Sequence, residues 1–288
     1  MSYLISFNRS KAVSNGYNNV YRHEFPMSSV NLKDAEVAVH SISMYNSVFN
    51  IDSTAYGNNT VSVIMPTAGT TSNVSIVFDD GLYSYQDMTR YIQSKLKAAG
   101  AYLIDSDGNE VYYIQISENP TYYAAQVDCS PLPTSLPSGW TRPATGLYST
   151  LGTGLPLTTR VPILTITNQP FGDLIGFSAG NYPPTATTTL QSFLSNKTPQ
   201  IHPVSSYVLR CSIINNPFNL PSDILTTFDT QGTSAGQLIS YKPNELAWVP
   251  ISDGAYPSIT LTIVDQDERF VRIRDASVLI TLAIRQKK

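Results

Sequence analysis

Tyr256-Pro-Ser-Ile-Thr-Leu-Thr-Ile-Val264 and Val278-Leu-Ile-Thr-Leu-Ala-Ile-Arg285, close to the C-terminus, decide how this chain is read. In the first run Ile259, Leu261 and Ile263 alternate with Ser258, Thr260 and Thr262. In the second, Val278, Ile280, Leu282 and Ile284 alternate with Leu279, Thr281, Ala283 and Arg285. A period of two sends one set to a buried face and the other away from it, which is the pattern of a strand. β-branched residues at that density disfavour a helix. Asp265, Gln266, Asp267 and Glu268 interrupt the pattern as turn-formers. Frayed tails rarely carry four alternating aliphatics, so the last strand is expected in the middle of a sheet.

Working outward, the same reading gives strands at Tyr3–Phe7, Ala35–Tyr45, Val61–Met65, Val74–Phe78, Tyr102–Ile104, Val111–Ile116, Tyr122–Val127, Ile163–Thr167, Tyr207–Ile214 and Leu238–Tyr241. One helix interrupts them, Tyr85–Ala99. Ser84 is its N-cap, Asp87 complements its dipole, Met88, Tyr91, Ile92 and Leu96 form an apolar stripe, and Gly100 ends it. Short helical turns are expected at Phe171–Phe177 and Ile224–Phe228. No internal repeat is visible. Cys129–Thr159 has no regular period and reads as an excursion rich in Pro, Ser, Thr and Gly. Many short strands, one helix and long loops describe an all-β chain built as a two-sheet sandwich or barrel.

Composition narrows the function. Charged residues are 14% of the 288, against about 25% in ordinary soluble domains. The polar remainder is largely Ser, Thr, Asn, Gln and 18 Tyr, a surface cheaper to desolvate against neighbours than a charged one. A net charge of −3 argues against a protein that coats nucleic acid. No apolar run reaches the about 18 residues of a membrane span. The N-terminus has no secretory pattern, so a chain made and kept soluble in a cytosolic compartment is expected, and its Asn-x-Ser/Thr matches are read as chance.

Nothing in the chain assembles a catalytic or metal site by spacing. His23, His40 and His202 are far apart, and no Cys–His pair is adjacent. There is no phosphate loop and no nucleophile elbow. Cys129 and Cys211 read as buried free thiols. Asp105-Ser-Asp-Gly-Asn-Glu110 could supply oxygen ligands, but its glycine is misplaced for a helix-flanked calcium loop and a hairpin turn is the better reading. Asp265, Asp267, Glu268 and Asp275 read as solvated hairpin tips offset by Arg269, Arg272 and Arg274, in preference to a glycosidase pair. No enzyme, cofactor or metal is therefore expected. The tyrosines fit subunit interfaces better than sugar-stacking platforms. Tyr122, Tyr123, Trp140, Tyr148 and Tyr182 are the candidate contacts of the alternative, a carbohydrate- or receptor-binding jelly roll.

Four features in order resemble the penton, or minor capsid, proteins of virophages and Polinton/Maverick elements, with the Mavirus-type virophage penton nearest. They are Met44–Ile51 followed by Gly57-Asn-Asn59; Gly81-Leu-Tyr-Ser84 leading into the helix; Phe171–Phe177; and Leu246-Ala-Trp-Val-Pro-Ile251 with Ser258–Ile263, Asp265-Gln266 and the final strand. The resemblance spans residues 35–98 and 160–286. It implies a single jelly roll of eight antiparallel strands in two sheets, with one short helix after the third core strand and a loop-rich insertion. The expected division is an N-terminal arm at 1–34, jelly roll at 35–128 and 161–288, and an insertion at 129–160 that could reach over about 100–204. Residues 129–160 depart from the pattern, and their role is left open. The resemblance further implies a structural capsid protein, homopentameric at icosahedral fivefold vertices and in contact with the major capsid protein. It would reside in the virion capsid after assembly in the host cell cytoplasm, and an insertion could display a site for a host receptor or glycan. If the arm that carries Arg9, Lys11, Arg22 and Lys33 lies beside Arg285, Lys287 and Lys288 at the other end, both are expected to face the capsid interior, with weak contact there and no specific nucleic-acid binding.

Overall fold

The closing stretch forms two strands that lie in different sheets. The structure is a computed structural model describing residues 2–26, 28–234 and 236–287, so Lys288 of the basic terminus lies outside the described residues. In chain order the strands begin with β1 (Ser2–Phe7), β2 (Val20–Glu24), β3 (Val30–Leu32) and β4 (Ala35–Tyr45). Then come β5 (Thr60–Pro66), β6 (Thr71–Val77), helix α1 (Tyr85–Ala98), β7 (Leu103–Ile104), β8 (Glu110–Val111), β9 (Ile114–Asn119) and β10 (Ala124–Cys129). These are followed by β11 (Ile163–Ile166), helix α2 (Gln169–Ile175), β12 (Gly180–Tyr182) and β13 (Gln191–Leu194). The last group is β14 (Ser206–Cys211), β15 (Ile224–Asp229), β16 (Leu238–Tyr241), β17 (Val249–Pro250), β18 (Gly254–Tyr256), β19 (Ser258–Asp265) and β20 (Leu279–Gln286).

The chain packs as two units, residues 1–48 with 204–288, and residues 49–203. In the first, one sheet has the order β1-β20-β4-β16, with β17 also on β4, and the other has the order β15-β14-β19-β2. Numbered along the chain, the eight main strands of this unit are β1, β2, β4, β14, β15, β16, β19 and β20. The sheets then read first-eighth-third-sixth and fifth-fourth-seventh-second, all antiparallel, which is the strand order of a jelly roll. Val37, Ile42, Met44, Ile280 and Leu282 of one sheet share a buried core with Tyr207, Leu209, Ile259, Leu261 and Ile263 of the other. The expected all-β jelly roll is thus what this unit adopts, and β20 lies inside its sheet, between β1 and β4.

The regular alternation expected in β4 breaks once. Ser41 faces Thr281 and Val39 faces Leu282, so His40 is an extra residue in the ladder. This bulge shifts the phase of burial from Val37 and Val39 to Ile42 and Met44. Ile224–Phe228, expected as a helical turn, is strand β15: its backbone pairs with β14 and it buries Leu225 and Phe228. Residues 1–34, expected as an arm, contain β1, β2 and β3. Their polar run hides two fully buried anchors, Phe7 and Tyr21, which are enough to seat an outer strand in each sheet.

The second unit enters between the third and fourth jelly-roll strands, so the division falls at 48/49 and 203/204 rather than at the ends of 129–160. It has its own sheets, β12-β11-β5-β6 and β13-β10-β9, and its own core. Helix α1 begins with the expected cap: Ser84 Oγ accepts the Asp87 N–H and the Asp87 carboxylate accepts the Ser84 N–H. It buries Met88, Ile92 and Leu96, while Tyr91 stacks on Phe78. α2 is a true short helix ended by left-handed Gly176. The first two resemblance motifs meet here. Buried Asn50 accepts the Tyr83 N–H and donates to the carbonyls of Tyr83 and Ile201, while Asn58 donates to the Asn50 carbonyl.

The excursion 129–160 belongs to this core, which takes in Leu132, Tyr148 and Leu155. Leu147 and Tyr148 donate backbone N–H groups to Ala99 and Gly100 at 2.9 Å each, just past the end of α1. That approach needs two residues without side chains. A Cβ on Gly146, whose φ is +96°, would overlap the Ala99 carbonyl oxygen and the Gly100 Cα. Gly146→Ala is expected to lower the stability of this unit by about 2 kcal/mol or more. Chemical denaturation followed by fluorescence measures it, and an unchanged midpoint would contradict this seam.

Candidate interaction surface

The groups weighed for chemistry are engaged in holding the fold. Asp105 lies in the β7–β8 turn, where Oδ1 accepts the N–H groups of Asp107 and Asn109 at 2.9 and 2.8 Å. Those bonds depress its carboxyl pKa. Asp265, expected as a solvated tip, is instead buried at the end of β19, because the turn wraps its own N–H groups and the Arg269 guanidinium around the carboxylate. Its Oδ1 accepts from the Asp267 and Arg269 backbones, and its Oδ2 takes the Arg269 guanidinium at 2.8 Å. Asp275 accepts the Ser277 N–H. Asp265 and Asp275 are therefore turn anchors. Among the described residues, no three His, Cys, Asp or Glu side chains come together as metal ligands, and no helix is long and apolar enough to cross a membrane.

The histidines are equally dispersed. His23 packs edge-on against Phe7 and Phe25, and its pKa is lowered by burial and then by Lys11. His40 sits at the β4 bulge, and His202 is exposed in the other unit. Cys129 and Cys211 are both free and buried, and burial pushes both thiols up to about 12.

The five aromatic candidates do not form one platform. Tyr122 and Tyr123 are exposed at 68% and 75% in the β9–β10 turn, where Tyr123 takes a left-handed φ of +49°. Trp140 is half-buried against the core of its unit. Tyr182 is half-buried too, edge-on to Phe177 and Phe193, with its hydroxyl donating to Ser178. Tyr148 is a correction: it is fully buried and donates to the Pro66 carbonyl at 2.9 Å, so no surface ligand can touch it. Its aromatic character signalled a contact, but the contact is with the protein's own interior.

What the jelly-roll unit does leave open is apolar. β1 is an outer strand paired only to β20 among the described residues, and Ser-Tyr-Leu-Ile-Ser-Phe carries no charge and no proline. Tyr3 and Leu4 on it are 64% and 60% exposed. Natural sheets usually blunt such an edge with charge, proline or a bulge. This segment, expected as part of an arm, is marked in the sequence by its missing charges.

No family model and no curated protein sequence matches the chain. Two solved structures are similar to it over nearly their whole lengths. One is the mavirus penton protein, 12% identical, with a TM-score of 0.44, covering 99% of this chain and 96% of that one. The other is a chain of the Sputnik virophage, 13% identical, with a TM-score of 0.41, covering 100% and 98%.

The buried thiols yield a direct check. The thiolate is the reactive species, so at about pH 8 the native protein should leave Cys129 and Cys211 unlabelled by an aromatic disulfide reagent, and denaturant should release two equivalents. Stoichiometric labelling of the native chain would place a cysteine at the surface.

Proposed function

We propose that this chain is a structural protein of a viral capsid, a penton protein that forms homopentamers at fivefold vertices and contacts the major capsid protein. The observation that carries the reading is an eight-strand jelly roll whose outer strand β1 is uncharged and leaves Tyr3 and Leu4 exposed. Such an edge is suited to being covered by a neighbour. The ordered sequence motifs of the penton family support the same reading and point to the virus, the vertex and assembly in the host cytoplasm, which a jelly roll by itself does not. β1 runs antiparallel to β20 with Ser2 opposite Arg285, so Arg9 and Lys11, beyond Phe7, lie at the far end of that pair, whereas Lys33 precedes Asp34, whose carbonyl accepts the Lys287 N–H. We place the end that holds Lys33, Arg285 and Lys287 toward the capsid interior. Imaging the purified chain by electron microscopy tests the proposal: five-membered rings are expected, alone or with the major capsid protein. A monomer under both conditions would overturn it.

The exposed Tyr122–Tyr123 pair favours a second role for the inserted unit, display of a receptor- or glycan-binding turn. Aromatic rings held out on a tight turn suit stacking on a sugar or a receptor surface. Binding to glycans or host cells should fall at least tenfold, about 1.4 kcal/mol, in Tyr122→Ser/Tyr123→Ser. Equal binding by the variant would remove this role.

A further inference from the structure

The jelly-roll unit carries two apolar features at one end, the end away from Val48 and Val204 where the chain leaves and re-enters it. The first is a projection. The loop joining β14 to β15 reads Asn215-Asn-Pro-Phe-Asn-Leu-Pro221 and presents Phe218 and Leu220 at 94% and 95% exposure. No charged residue lies between Cys211 and Ser222. The loop is braced internally: the Phe218 N–H bonds to Asn216 Oδ1 at 3.1 Å, and the Asn216 N–H to the Ser222 carbonyl at 2.6 Å. Its apolar side chains are therefore held outward by a defined turn.

The second feature is a groove. A cavity of about 490 Å³ lies beside β1 and β3, lined mainly by apolar side chains, Tyr3, Ile5, Phe25, Val30, Leu32 and Ile284 among them, with Asn31, Lys33, Arg285 and Gln286 as its polar lining. Its wall is steadied by Arg285, which pairs with Glu36 at 3.0 Å and lies over the Trp248 ring at 3.9 Å. Groove and projection lie on opposite lateral edges of the sandwich. β1 and β2 are the outer strands on the groove side, while β15 and β16 are the outer strands on the other. The two edges also differ in charge. Residues 2–33 hold Arg9, Lys11, Arg22 and Lys33 against Glu24, and residues 215–245 hold Asp223, Asp229 and Glu245 against Lys242. Asp223 is bound by Arg210, which leaves the second edge weakly acidic.

We propose that the jelly-roll unit binds a second copy of this chain head to tail, the Phe218–Leu220 loop of one copy seating in the β1–β3 groove of the next. This rests on the assembly reading above and assigns its contact surfaces. Apolar projection meets apolar groove, and a basic edge meets a weakly acidic one. Because the two surfaces differ and lie on opposite edges, the contact is heterologous, the type from which rings are built when the rotation closes.

Sedimentation velocity on the full chain tests the proposal. Phe218→Ser/Leu220→Ser and, separately, Tyr3→Asp alter only exposed side chains, and circular dichroism checks that each variant is folded. Each is expected to weaken self-association at least about tenfold, as loss of a central apolar anchor does. Mixing the two variants leaves one intact projection and one intact groove per pair, so dimers and nothing larger should form. A wild-type chain that assembles while both variants match it overturns this interface and leaves the assembly reading standing. Larger species in the mixture also overturn it. A wild-type chain that stays monomeric at every concentration overturns this interface, and one that also stays monomeric with the major capsid protein overturns the assembly reading too.

Discussion

β20 sits between β1 and β4, in register with Ser2–Phe7 on one side and with most of Ala35–Tyr45 on the other. The rest of the jelly roll depends on that position. Its inward side chains, Ile280, Leu282 and Ile284, join the core made with β14 and β19. A one-residue slip would turn them outward, so burial specifies the register strongly. The sheet is completed by residues more than 200 positions apart in sequence, which makes this a topology of high contact order whose ladder forms only when distant segments meet.

An inserted unit of the size of 49–203 is compatible with this closure because the entropy of closing a loop rises only logarithmically with its length. The unit also supplies its own core, so its strands do not draw on the jelly roll for burial. Two glycines and a buried asparagine do much of the local joining. Gly100 and Gly146 let the excursion meet the end of α1, and Asn50 ties Tyr83 and Ile201 together. The motifs at Asn50 and Tyr83 thus have an immediate structural use here, as mutually satisfied polar groups.

Few charges and many amphipathic side chains give a surface that costs little to desolvate. On the jelly-roll unit this shows as an open uncharged edge, an apolar groove and a projecting apolar loop. Asp105, a candidate ion ligand, and Asp265, a candidate acid, accept hydrogen bonds from their own turns; the turn at Asp105 is written in its local spacing, whereas the burial of Asp265 is not.

Much of the fold was legible in the sequence where period-two burial is uninterrupted, as in Ser258–Ile263 and Val278–Ile284, and where a helix carries its cap and stripe, as in Ser84–Leu96. Less was legible where a few anchors do the work. Phe7 and Tyr21 seat two strands within a run that is polar by composition, and the bulge at His40 resets an alternation that composition alone extends unbroken. The candidate surface was partly legible: the free charge-poor edge is written in Ser2–Phe7, but exposure is not, and Tyr148 and Tyr122 look alike until one is packed and the other is not. Local periodicity is a property of neighbouring residues, so the sequence by itself determined the class of the fold and most of its strands. Which strands meet, where the second unit begins and which aromatics stay outside depend on contacts between residues far apart in the chain, and only the tertiary structure decided them.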